Sequence, residues 1–330
     1  MTDEFKALVT VKRDGKFVSS VSRRRISDLP TGELLIKVAF SSLNYKDALS
    51  ASGHPGVSRN FPHTPGIDAA GIVESSDDDS FKLGDSVIVT GFDLGMNTAG
   101  GLAEYIRVPA AWAVPLPDGL SLKDSMVLGT AGLTAGLSVD KLITAGLSPQ
   151  ASVLVTGATG GVGSVAVALL SKLGFDVCAS SGKSNCNEWL QSLGATAIID
   201  RAEISEPSPR PILKARWGAA VDTVGGATLA TVLKSVDHGG LVTCCGLAAG
   251  DHFDPSVYPF ILRGVSLFGI DSVEISTAAK QRIWKLFAGD WALASKASGE
   301  LVELITLEQC VDYLPRFLRG EIKGRVVVKL

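Results

Sequence analysis

The sequence contains no CxxC pair and no Cys/His cluster. Its five cysteines, Cys178, Cys186, Cys244, Cys245 and Cys310, are scattered and odd in number. That spacing argues against a disulfide framework or a thiolate metal site and for reduced thiols in a cytoplasm. Adjacent Cys244 and Cys245 fall in an apolar strand-like run, where cysteine packs as a small hydrophobe. A basic excess is absent too: 31 Lys plus Arg stand against 34 Asp plus Glu, a formal net charge of −3. With no basic patch interleaved with aromatics, nucleic acid is not an expected partner. No stretch approaches the ~18 apolar residues of a membrane span. The opening MTDEFKALVTVKRDGKF carries charge throughout and has no apolar signal core. The expectation is a cytoplasmic protein with no membrane partner. No internal repeat is visible.

What is there suits two domains. The 330 residues are 46% apolar and 20% charged, an ordinary globular composition in a chain too long for one core. Residues 1–122 read as short strands, among them LVTV, ELLIKVAF, AAGIVES, DSVIVTGF and AEYIRV, separated by Gly, Pro and Asp turns. From 123 the rhythm changes. LKDSMVLGTAGLTAGLSVDKL has helical spacing broken by glycines. Strand-like and helix-like segments then alternate from SVLVTGA to VSLFGID, the pattern of a doubly wound parallel α/β sheet. Residues 276–318 read as helical around IWKLFAGDWAL and QCVDYLPRFLRG, and the chain ends in the strand-like GRVVVKL. The predicted organisation is a β-rich domain at 1–122, to which 273–330 returns, and an α/β domain at 123–272.

The segment Val153 to Gly163, VLVTGATGGVG, is a strand running into a glycine turn, and a helical segment follows. Gly160, Gly161, Val162 and Gly163 are the candidate dinucleotide cradle. Glycine admits close backbone approach to a pyrophosphate, and a helix N-terminus offers free N–H groups and positive potential. The strand before and the helix and strand after make this signal strong. An NAD site usually has an acid at the end of the second strand for the ribose hydroxyls. That place reads Cys178 to Lys183, CASSGK, with no acid. Ser181, Gly182 and Lys183 therefore suit the 2′-phosphate of NADPH; a solvated loop lysine is the competing reading. Arg201, after the third strand AIID, has a planar guanidinium suited to an adenine face. A plain surface arginine is its alternative.

This order of segments resembles the medium-chain dehydrogenase/reductase superfamily. The resemblance implies a discontinuous GroES-like catalytic domain beside a Rossmann NADPH-binding domain. In the zinc alcohol dehydrogenases of that superfamily, a GHE turn supplies a His ligand and a Glu beside the metal. The matching turn here is Gly66-Ile67-Asp68, and Ile67 cannot ligate. The first-ligand Cys matches Asn44, and the four-Cys loop is missing from GFDLGMNTAGG at 91–101. His54 and His63 lack partners for a zinc site. No metal is expected, and Asp68 is expected to pin its turn by local hydrogen bonds. The chain is closer still to the zinc-lacking branch of NADPH-dependent quinone oxidoreductases that includes acrylyl-CoA reductases. LNYKDAL at 43–49, FPHTPGIDAAG at 61–71, LGTAGLTAGLSV at 128–139, TGATGGVGS at 156–164, YPFILRGVSLFGIDSV at 258–273 and the terminal KGRVVVKL carry that likeness over nearly the whole chain.

The resemblance implies hydride delivery from NADPH, without a metal, to an activated C=C of an enoyl or acrylyl thioester or enone, or to a quinone. An NADPH-binding redox sensor or structural protein with little turnover is the alternative. Tyr45 is similar to the family's cofactor-side tyrosine and is the candidate to meet the nicotinamide and a developing enolate; simple packing is the competing reading. Asn44 either holds the same loop or donates to substrate. Lys46 and Asp47 read as a structural pair. His54 stands roughly where related trans-2-enoyl thioester reductases carry a catalytic tyrosine, and reads as an exposed loop residue. Leu247, Ile261 and Ser272 are implied to line the cofactor, with Leu318 returning to the same place. A homodimer is implied through the apolar edge strand VSLFG at 265–269. Arg23-Arg24-Arg25 reads as a solvated strand edge rather than a site for a CoA phosphate.

Overall fold

The computed structural model describes residues 3–206, 208–293 and 299–330. Two compact units emerge: Met1–Thr130 with Ser272–Asp290 and Val302–Leu330, and Ala131–Asp271 with Trp291–Leu301.

The first unit opens with a hairpin of Glu4–Arg13 and Lys16–Arg25. Asp14 and Gly15 turn it with φ of 50° and 77°, the left-handed pair that matches strand twist in a two-residue loop. The arginines at 23–25 lie on that hairpin, where Arg23 and Arg25 reach Glu4 and Arg24 reaches Asp28. The main sheet runs Val302–Thr306, Arg325–Lys329, Leu34–Leu43, Asp68–Ser76, Ser86–Thr90, Ala113–Pro115, and Tyr105–Val108 also pairs with Leu34–Leu43. Leu34, Ile36, Val73, Val87 and Ile106 fill its core. Two expectations change. The first 122 residues are not all strand, because Tyr45–Ala51 is a helix. The stretch predicted helical at 276–318 yields the helices Thr277–Ala288 and Cys310–Leu318 but also the strand Val302–Thr306. Residues 294–298 of that stretch lie outside the described residues.

The second unit carries the predicted doubly wound sheet. Its six strands are all parallel, in the order Ala197–Asp200, Asp176–Ser181, Ser152–Val155, Trp217–Asp222, Val236–Cys244, Ser266–Gly269. In chain order this is 3-2-1-4-5-6, so the direction of winding reverses between Ser152–Val155 and Trp217–Asp222. Ligands of open α/β sheets bind outside the strand ends at such a reversal. The helix Gly161–Lys172 is buried continuously from Gly163 to Leu170, which is why its sequence is apolar on every face. The helix Leu122–Thr144 is, against expectation, long and apolar enough to cross a membrane, but 72% of its apolar window is buried within the protein, as in a core helix. Cys178, Cys186 and Cys310 are buried, whereas Cys244 and Cys245 are only half-buried at the end of Val236–Cys244. Cys244 still packs, as predicted, against the core around Leu154, Val242 and Val265, though neither thiol of the pair is fully buried.

Candidate functional site

At the winding reversal the chain leaves Val155 through Thr156 into Gly157, whose φ is 57°. A Cβ on Gly157 would lie 2.4 Å from Thr223 Oγ1, and one on Gly163 would lie 2.4 Å from the Gly157 carbonyl oxygen. Both positions need glycine for the turn to close. Thr156 Oγ1 donates to Asp222 Oδ1 at 2.8 Å and Thr223 Oγ1 donates to the Thr156 carbonyl at 2.8 Å, fixing the two strand ends on either side of the reversal. The helix begins at Gly160 without a side-chain cap. The amides of Gly161, Val162 and Gly163 are thus the uncapped first turn of a twelve-residue helix, a fit for a pyrophosphate.

The next strand end completes the dinucleotide side. Ser181 is buried, and its Oγ accepts from Lys183 N at 3.0 Å. Arg201 N donates to the Ser181 carbonyl, and its side chain crosses Gly182 so closely that a Cβ there would sit 2.5 Å from Arg201 Nε. The structure thus brings Ser181, Gly182, Lys183 and Arg201 together beside the glycine turn. The carboxylate in register with Ser181 belongs to Asp200, and its Oδ1 is occupied by Ala202 N. Leu247, 61% exposed, lies in the loop after Val236–Cys244, with its Cα 3.4 Å from where a Gly225 Cβ would stand. Ile261, 69% exposed, lies on the short helix Tyr258–Arg263 that precedes the last strand, and its place beside a cofactor rests on the resemblance.

In the first unit, Asn44 and Tyr45 start the helix Tyr45–Ala51. Asp47, fully buried, accepts from Asn44 N at 2.7 Å and from Ile67 N at 2.9 Å. Both its oxygens serve backbone, so the expected Lys46–Asp47 pair does not form. Burial and, next, the neighbouring Asp68 charge push the Asp47 carboxyl up to about 7, against the pull of its backbone donors. Asn44 is buried as well. Its Nδ2 donates to Asp68 Oδ2 at 2.7 Å and to the Ser42 carbonyl at 3.3 Å, while its Oδ1 accepts from Arg325 Nη1 at 3.2 Å. Of the two readings of Asn44, the engagement of its amide inside the protein favours the one that holds the turn. Tyr45 is 46% exposed. Ser272 is buried beside Gly91, and Leu318 ends the helix Cys310–Leu318, which packs on Tyr45–Ala51.

Asp68 is the hub beneath this turn. Besides Asn44, it accepts from Ser42 Oγ at 2.6 Å, from Thr130 Oγ1 at 2.5 Å and from Thr130 N at 3.0 Å. Its partners stand 24 to 62 residues away, so the expectation of purely local bonding is corrected. Thr130 N is free to reach it because the helix Leu122–Thr144 breaks at Gly129, with φ 54° and ψ −157°. Arg325, from the last strand, donates to the Val127 carbonyl and Ser42 Oγ and lies 3.9 Å from Asp68. Sequence reasoning missed Arg325, Ser42 and Thr130. The available signal was a charged residue opening the apolar run RVVVK.

The residues do not fit a catalytic zinc. Ile67 is buried and apolar, Asn44 and Asp68 are committed to the network above, and among the described residues no three His, Cys, Asp or Glu side chains group as metal ligands. The frame of the turn is held instead by glycines: a Cβ on Gly95 or Gly100 would stand 2.5 Å from Gly66 atoms. His63 is buried with Nε2 2.9 Å from the Gly95 carbonyl oxygen, and burial holds its pKa below the usual imidazole value. His54 is exposed, and its Nδ1 accepts from Gly56 N.

Comparison with known proteins agrees with this geometry. Residues 30–118 match the alcohol dehydrogenase GroES-like domain and residues 161–288 the zinc-binding dehydrogenase family. The Bacillus subtilis protein YhfP, named as a quinone oxidoreductase, is 45% identical over 332 residues, covering 100% of each chain. Its crystal structure with NAD bound superposes with a TM-score of 0.95 over 99% of each chain. The acrylyl-CoA reductase AcuI of Ruegeria pomeroyi is 43% identical over 98% of each chain. The yhdH oxidoreductase from Salmonella enterica in complex with NADP gives a TM-score of 0.96 at 44% identity, covering 98% of this chain and 99% of that one.

Proposed function

The chain belongs to the medium-chain dehydrogenase/reductase superfamily, in its quinone oxidoreductase and acrylyl-CoA reductase branch, and from that premise we propose that it reduces small electrophiles with NADPH. The carrying observation is the turn at Asn44–Tyr45. Where the superfamily's metal ligands stand, this chain has a buried network of Asn44, Asp68 and Arg325, with an exposed tyrosine at its edge. Such a site suits substrates that are already electron-poor: an enoyl or acrylyl thioester, an enone or a quinone. NADPH, when bound, would supply a hydride to the β-carbon of an enoyl thioester or enone, or to a quinone, and a proton from solvent would complete the two-electron reduction. In this reading the exposed Tyr45 hydroxyl donates a hydrogen bond to the carbonyl oxygen as negative charge develops there. The amides of Gly161 to Gly163 would hold the pyrophosphate, Lys183 the 2′-phosphate, and the Arg201 guanidinium would lie against the adenine face. Leu247, Ile261, Ser272 and Leu318 complete the cofactor's surroundings in this reading. The unpaired thiols support a reducing cytoplasm, and the edge strand Ser266–Gly269 supports a homodimer.

The test is a panel of acrylyl-CoA, crotonyl-CoA and a benzoquinone with NADPH. Loss of the reduced-nicotinamide absorbance is the expected outcome. Tight NADPH binding with no loss on any substrate would instead assign the protein to redox sensing or a structural role. With the best substrate, Tyr45→Phe lowers kcat by an amount worth about 1–3 kcal/mol while NADPH affinity changes little, because the ring remains. Wild-type kcat in Tyr45→Phe would reduce Tyr45 to a wall of the pocket.

A further inference from the structure

We infer that Arg325 is a positioning residue for the Asn44–Tyr45 turn, acting from the last strand through the Asn44 side chain; this rests on the reading of Tyr45 as the residue that meets cofactor and substrate. Arg325 is 2% exposed. Its neighbours Val326, Val327 and Val328 are fully buried and apolar, so packing alone gives no reason for a guanidinium there. Taking an ion out of water costs several kcal/mol unless its hydrogen bonds are all made. Here Nε donates to the Val127 carbonyl at 3.0 Å, Nη1 to Asn44 Oδ1 at 3.2 Å and Nη2 to Ser42 Oγ at 2.9 Å. Ser42 Oγ in turn donates to Asp68 Oδ2, which also receives Asn44 Nδ2. The Asn44 amide is therefore gripped at both ends, its oxygen by a cation and its nitrogen by a carboxylate. The Asn44 backbone N–H is held by Asp47. Among the described residues the Tyr45 hydroxyl has no hydrogen-bond partner of its own, so its direction is set by the backbone that Asn44 anchors. Only a planar fork serves three acceptors in fixed directions; an ammonium does not.

The test uses the full chain with NADPH bound. Arg325→Lys keeps the charge but loses the fork. Expected is about tenfold faster amide exchange at Asp47 and Ala48, whose N–H groups donate to the Asn44 carbonyl, with no change at Ile72 and Val73 in the core sheet. Expected as well is a kcat lowered about tenfold with the NADPH KM within about twofold. Tyr45→Phe then costs less on the Arg325→Lys background than on wild type, because both act on one group. A folded Arg325→Lys with wild-type exchange at Asp47 and Ala48 overturns the inference, and so does full additivity with an effective Tyr45→Phe. If Arg325→Lys does not fold, Ser42→Ala removes one acceptor of the guanidinium and carries the same exchange test with the same two outcomes. A Tyr45→Phe of wild-type kcat sinks the reading of Tyr45 alone, and the exchange measurement still decides the positioning role.

Discussion

At the scale of single residues, Asp47 ties pH to stability in a direction that is easily misjudged. Its folded carboxyl is raised to about 7 from 3.8, so the native state holds that proton more tightly than the unfolded chain. Its contribution is greatest below the unfolded value and is lost as pH rises toward 7, by at most about 1.4 kcal/mol per pH unit. His63 acts oppositely: its lowered pKa adds stability as pH rises. The two are separated by comparing wild type with Asp47→Asn in urea titrations from pH 5 to 8. The stability advantage of wild type should shrink with rising pH, and a constant advantage would refute the assignment. Lys183 gives a second test. Removing a charge-assisted phosphate contact is worth roughly 1.5–3 kcal/mol, so Lys183→Ala should weaken NADPH at least about tenfold and NADH hardly at all. Equal loss for both cofactors would return Lys183 to the solvated loop. Residue types at the site were legible, because CASSGK and SLNYKD carry their chemistry in order. Partners were not: Asn44 meets Arg325 across 281 positions, and only the folded sheet brings them together.

At the scale of elements, the glycine turn and the six parallel strands were legible because each signal repeats: strand, turn, helix, strand. Two short elements were not. The helix Tyr45–Ala51 is only seven residues long and sits among strands. Its start signal was nonetheless present, an Asn followed three positions later by an acid that caps it. The strand Val302–Thr306 reads VELIT between two helices, and its order comes from parallel pairing with Arg325–Lys329, a non-local cause that no window of sequence contains. The break in Leu122–Thr144 belongs at this scale too. Glycines in a helical pattern announced an interruption, and the structure gives its reason: Gly129 must leave room for Asp68, Ser42 and Arg325. A Cβ there would lie 2.5 Å from Asp68 Oδ2 and Ser42 Oγ and 2.7 Å from Arg325 Nη2. Its φ and ψ of 54° and −157° lie near a region that only glycine enters freely. Gly129→Ala should therefore break a buried ion network and cost roughly 3–5 kcal/mol, read as a lowered urea midpoint. A loss below about 1 kcal/mol would mean that the kink tolerates a side chain and the network is slack.

At the scale of the whole molecule, the question is what meets the end of the parallel sheet. Among the described residues, Ser266–Gly269 pairs on one side only, with Val236–Cys244. Leu267 and Phe268 on it are half-buried. The helix just before it exposes Tyr258 at 46% and Leu262 at 55%, with Val257 at 64% beside them; Ile261, on the same helix, is kept for the cofactor side. An apolar edge strand is a hazard unless something covers it, and a cluster of exposed apolar side chains marks an interaction surface. No Lys, Pro or bulge within Ser266–Gly269 discourages pairing. A second copy related by a two-fold axis satisfies both features at once, because an edge strand can add to its own image and the flanking helix then meets its counterpart. Light scattering at micromolar concentration should accordingly give about twice the 34.3 kDa chain mass. Leu262→Lys puts a charge into the patch without touching the glycine turn or the Asn44–Tyr45 network. It should shift the equilibrium toward the single chain while NADPH binding persists. A wild-type mass near that of one chain would leave the edge strand without a partner and overturn the dimer. A Leu262→Lys variant that stayed fully dimeric would move the contact away from this helix and onto the strand alone.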